Sequence, residues 1–80
     1  MAKYKLELKP VREQGFHSLT DDKKKLFGIS LQLIVAMLEN HPKINDIYTS
    51  EDFSLYIDAA DDVSEEIERL HQAAVLTRLD

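Results

Sequence analysis

The residues of this chain that could do chemistry are three histidines, one serine beside a histidine, a group of aspartates and two groups of lysines. His17, His41 and His71 could ligate a metal. No two of them stand three or four residues apart, the spacing that puts two imidazoles on one helical face, so no metal is expected. His17 and Ser18 with a distant carboxylate could be drawn as a nucleophilic triad. Neither a strained nucleophile turn nor an oxyanion loop accompanies them. The two glycines fall in no phosphate-cradling pattern, so no nucleotide or other cofactor is expected. An enzyme is not expected, because a pocket of about 300 Å³ or more is hard to carve from so small a core.

Asp58, Asp61 and Asp62 lie close together in the sequence. They could form a cation site or an acidic docking patch. A strand exit followed by helix caps favours aspartate by itself, and that reading is preferred, since the acids follow no EF-hand spacing. Lys3, Lys5 and Lys9 could meet phosphates, but lysines also protect a solvated strand from edge-to-edge pairing. The run Lys23-Lys24-Lys25 reads as the polar start of a helix. Tyr56 joins these residues as a polar aromatic. The candidate interaction surface is therefore Lys3, Lys5, Lys9, Tyr56, Asp58, Asp61 and Asp62.

These residues sit in a chain of strong charge polarity. Residues 1–43 hold eight lysines and arginines against five acids, and residues 44–80 hold two against ten, for a net charge of −5. Eighty residues make one domain with a thin stability margin, and no cysteine is present to staple it. The hydrophobic content of 44% is that of a globular chain. The basic start is followed by alternation rather than an apolar run, so no signal peptide is expected. The longest apolar stretch, residues 26–38, is interrupted by Gly28, Ser30 and Gln32 and is too short to span a bilayer. The expected location is cytoplasmic.

The elements that must position the candidates follow from periodicity. Residues 3–9 alternate, with Tyr4, Leu6 and Leu8 on one side and Lys3, Lys5, Glu7 and Lys9 on the other, which predicts a strand ended by Pro10. Residues 10–20 read as a connector turning at Gly15. A helix is expected over 20–40, capped by Thr20, with Asp21 and Asp22 at its positive end and a left-handed Asn40 before Pro42. Its apolar residues cover well over half the circumference, more than the roughly 100° stripe that packing on a sheet needs. Gly28 inside it means either close approach by another backbone or tolerance of about 1 kcal/mol. Residues 44–49 and 53–58 predict a hairpin turning at Ser50-Glu51-Asp52, with an irregularity in the first strand. A second helix is expected over 62–79, opened by a capping box at Asp62 and Glu65.

The order β-α-β-β-α predicts an α+β fold: a three-stranded, mostly antiparallel sheet with both helices on one face. If the first and third strands are parallel neighbours, the first helix is their crossover. The exposed sheet face would carry Lys3, Lys5, Glu7, Lys9, Ser54, Tyr56 and Asp58. In order and length, with an acid-started last helix, the chain resembles the DinI family of RecA modulators. The resemblance lies in arrangement alone, lacks that family's acid-rich chain end, and implies no site residue. The expected function is a small non-enzymatic interaction or regulatory protein that homodimerises or docks on a larger protein. The alternatives are an acidic mimic of nucleic acid that inhibits a DNA-binding protein and, less favoured, a nucleic-acid-binding module using the basic first strand. The partner is expected to be a protein or the chain itself as a homo-oligomer. Nucleic acid is disfavoured, and neither a membrane nor a small molecule is expected.

Overall fold

Ala2, Tyr4, Leu6 and Leu8 all turn inward, and the strand they form runs through the middle of the sheet. The computed structural model describes residues 2–80. Its elements are β1 (Ala2–Leu8), α1 (Lys9–Gln14), a 3-10 turn (Phe16–Ser18), α2 (Asp21–Glu39), β2 (Ile44–Thr49), β3 (Leu55–Ala59), α3 (Ser64–Glu68) and β4 (Ala74–Arg78). The strands order as β2-β3-β1-β4, and every neighbouring pair is antiparallel. β1 and β2 thus run in the same direction with β3 between them, the split β-α-β of ferredoxin-like sheets.

The α+β class and the antiparallel sheet match the expectation, but the sheet has four strands, and there are three helices rather than two. The expected helix over 62–79 stops at Glu68, and the tail returns as β4. Leu6 pairs with Leu76 and Tyr4 with Arg78, while the Leu79 N–H donates to the Lys3 carbonyl at 2.8 Å. The physical reason is the second edge of β1. Left bare, it would present a row of unpaired N–H and C=O groups beside the core, and β4 satisfies them. The order is therefore β-α-α-β-β-α-β, and the arrangement behind the DinI resemblance is not that of this chain. β1 and β3 are neighbours, but antiparallel, so α2 is not a crossover between them.

Smaller departures have similar causes. Pro10 ends the strand but also opens a helix, since its fixed φ and missing N–H suit the first turn. Lys9 is therefore helical and does not extend the face of β1. Gly15, at φ 81°, joins α1 to the 3-10 turn. Asn40 stays right-handed, and its side-chain amide donates to the Ala36 carbonyl at 3.1 Å. No capping box forms at α3. Asp62 instead accepts from both the backbone N–H and the hydroxyl of Ser64, at 3.0 and 2.8 Å, and Val63 occupies the cap position. The hairpin loop is longer than expected, so Phe53 and Ser54 precede β3. Phe53 takes a left-handed φ of 66°, and Ser54 is buried rather than on the open face. The irregularity expected in β2 is a register shift between Ile44 and Asp46.

α2 behaves as its sequence dictates at its start. The Thr20 hydroxyl accepts from the Lys23 N–H at 3.3 Å, with Asp21 and Asp22 in the first turn. Leu31, Ile34 and Leu38 seat it on Leu6, Leu55 and Ile57 of the sheet, and Val63 and Ile67 complete the core. No helix among the described residues is long and apolar enough to cross a membrane.

Candidate functional site

The open face of the sheet gathers part of the expected surface. Register sets Lys3 opposite Asp58 and Lys5 opposite Tyr56, and Tyr48 pairs with Tyr56 from the edge strand, their rings 6.2 Å apart. Lys3, Lys5, Tyr56 and Asp58 thus share one face because strand residues of one parity point one way. Asp46 lies across from Asp58 and Glu7 lies along β1 from Lys5, whose ammonium is 3.9 Å from its carboxylate. Three acids against two lysines make this face unlike a phosphate-binding one. Its hollow, about 230 Å³ between Lys3, Tyr48, Asp58 and Leu79, is smaller than the usual ligand site.

The other expected residues go elsewhere. Lys9 pairs with Glu13 on α1 at 3.9 Å. Asp61 faces Lys43 at 3.8 Å. Asp62 lies beneath the end of β1, where its Oδ1 accepts from the Tyr4 hydroxyl at 2.8 Å and its Oδ2 is 3.4 Å from the Arg78 guanidinium. The Ser64 N–H, the Ser64 hydroxyl and Tyr4 together lower the Asp62 carboxyl from its ordinary 3.8 to about 2. Burial, followed by the bond to Asp62, raises the Tyr4 phenol. This network joins β1, α3 and β4, and its geometry is that of a structural clasp. His41 bridges Glu66 through Nε2 and accepts the Lys43 N–H at Nδ1, so it too is a tie, between the α2–β2 loop and α3. Among the described residues no group of three His, Cys, Asp or Glu side chains could hold a metal ion.

The polarity of the sequence does not become two charged poles. β1 from the basic half is inserted between β3 and β4 of the acidic half, which sets Lys3 opposite Asp58 in the register without an ion pair between them. Asp61 is paired with Lys43, and Asp62 and Asp80 with Arg78, while Glu66 contacts His41.

A second surface was visible in the sequence only as a surplus. Leu31 and Leu38 are sheltered by the chain's own sheet. Leu26, Ile29, Leu33 and Met37 are not, with 60%, 58%, 61% and 46% of their surface exposed. At 100° per residue these four centre about 130° around the helix axis from the buried side chains. They form one apolar stripe pointing away from the sheet. No helix among the described residues covers it, and α3 spans only Ser64–Glu68. Beside the stripe, a groove of about 480 Å³ runs between α2 and the β2–β3 hairpin, floored by Gly28, Val35, Ala36 and Phe53. It exceeds what so small a core was expected to provide. Glu39 is its one titratable group, and no nucleophile–base pair lines it. A Cβ on Gly28 would meet the Phe53 ring at 3.5 Å, an ordinary contact with a side chain, so no backbone approach requires this glycine.

Compared with known protein families, curated proteins and solved structures, the chain matches none.

Proposed function

We propose that this chain is a small non-enzymatic interaction protein whose contact surface is the outer stripe of α2. The observation that carries the reading is the run of Leu26, Ile29, Leu33 and Met37, each about half exposed or more on one face of one helix. Single exposed leucines are ordinary, but a continuous apolar row on a rigid element is what interfaces bury. Homodimerisation or docking on a larger protein would cover it, and the expected setting is the cytoplasm. Acidic mimicry of nucleic acid receives less support, because three of the acids it would use are paired with a lysine or an arginine.

The test is a pair of measurements on the intact chain and on Leu33→Lys. Leu33 touches solvent, so the variant keeps the fold, as circular dichroism will report. Sedimentation from micromolar to millimolar concentration or affinity capture of purified candidate partners should show association by the native chain and its loss in the variant. A native chain that stays monomeric and whose every captured partner also binds Leu33→Lys equally would overturn the reading.

A further inference from the structure

We infer that the occupant of the α2 stripe is a second copy of this chain, with the two α2 helices antiparallel about a two-fold axis. The inference rests on the reading of the stripe as the contact surface, and it adds partner and orientation. Two features of α2 select them.

The first is self-complementarity. A two-fold interface must match its own reverse. Leu26, Ile29, Leu33 and Met37 are spaced three, four and four residues apart, so the stripe is nearly symmetric about a point between Leu31 and Gln32. Reversal sets Leu26 against Met37 of the second copy and Ile29 against Leu33 of the second copy, two apolar layers each made twice. The spacing suits a shallow crossing of about 20°.

The second is charge. Lys25 and Glu39 are exposed, and neither makes an ion pair among the described residues. At 100° per residue both fall on the same side of the helix, Lys25 about 85° and Glu39, at the groove, about 125° from the centre of the stripe. A two-fold axis across antiparallel helices keeps that side in register, so Lys25 comes level with Glu39 of the second copy, twice over. Antiparallel helices also set each dipole against the other. A parallel pair would instead press two Lys23-Lys24-Lys25 runs together at one end, with dipoles aligned. A single helix pair of this length lies at the small end of protein interfaces, so the dimer is reversible rather than obligate.

The chain has no cysteine, so introduced thiols report position without interference. Asp22 and Asn40 both lie at the margin of the stripe, one at each end, on the same side. In the antiparallel dimer the two Asp22 positions are separated by about 28 Å along the axis at 1.5 Å per residue, while Asp22 is level with Asn40 of the second copy. A disulfide needs Cα atoms about 4.4–6.8 Å apart. Mixing Asp22→Cys with Asn40→Cys under mild oxidation should give the mixed disulfide at least tenfold faster than the Asp22→Cys homodisulfide. In parallel, Lys25→Glu and Glu39→Lys should each weaken dimerisation by about fivefold, and the double swap should restore it, with circular dichroism unchanged throughout.

A homodisulfide that forms as fast as the mixed one overturns the orientation. Sedimentation showing only monomer at millimolar concentration overturns the second copy as occupant. In that case a partner captured by the native chain and lost with Leu33→Lys would leave the contact-surface reading standing.

Discussion

The hydroxyl of Tyr4 donates to Asp62 Oδ1 at 2.8 Å across a separation of 58 residues, and the Tyr4 hydroxyl oxygen accepts the Val63 N–H at 3.2 Å. One side chain of the central strand thereby fixes where α3 begins. The phenol and Val63 are buried while Asp62 is exposed, so it is the Val63 N–H that would lose a bond water could not fully replace.

Tyr4→Phe should therefore destabilise the fold by about 1–3 kcal/mol, the usual range when a buried donor or acceptor is stranded. The ring still fills the core, so packing is retained. Urea denaturation measures the loss. A variant as stable as the native chain would mean that the clasp contributes nothing.

The clasp also sets a pH profile. The folded Asp62 carboxyl titrates at about 2, below its ordinary 3.8. The unfolded chain therefore takes up the proton first as pH falls, so this contribution to stability is complete above about pH 4 and is lost between there and pH 2. Tyr4 is raised above 10.0 in the folded state, so its contribution is complete below that value and is lost as pH rises past it. Unfolding midpoints across pH should fall at both ends. In Tyr4→Phe the alkaline fall attributable to this phenol should vanish and the acid fall should shrink.

The faces of α2 can be read from two adjacent residues. Ile34 is fully buried while Leu33 is 61% exposed. Ile34→Ala should cost about 2–5 kcal/mol, and Leu33→Ala within about 0.5 kcal/mol at dilute concentration. Equal losses would mean that the helix is rotated from the position described.

Gly28→Ala should stabilise the chain by about 0.5–1 kcal/mol, because a methyl fits against Phe53 and the helix gains propensity. Thermal melts will show a rise in the midpoint. A fall would indicate that the groove floor cannot accept even one carbon.

Much of this architecture was legible in the residues. β1 announces itself by strict alternation from Lys3 to Leu8, and α2 by Thr20, Asp21 and Asp22 ahead of a long apolar row. β3 is visible in Leu55 and Ile57. β4 was not, because Val63, Ile67, Leu70 and Ala74 continue a helical spacing and the adjacent pair Val75-Leu76 hides a period of two. Only the open edge of β1 decides that segment, and an edge is a tertiary fact. Pro10 was ambiguous for a local reason, since the same ring that stops a ladder starts a helix. On the candidate surface, parity alone placed Lys3, Lys5, Tyr56 and Asp58 together, whereas the fates of Asp61 and Asp62 depended on Lys43 and Tyr4, distant in sequence. The surplus on α2 could be counted from the sequence, but its direction needed the sheet.

What covers the outer stripe of α2 is read most directly by an amide chemical-shift map over a dilution series. On concentration, the shifts should gather along one helix face, at Leu26, Ile29, Leu33 and Met37 and at Lys25 and Glu39, while the open sheet face at Tyr48 and Tyr56 stays still. A spectrum that does not change up to millimolar protein, or shifts centred on the tyrosines, would contradict coverage by a second copy.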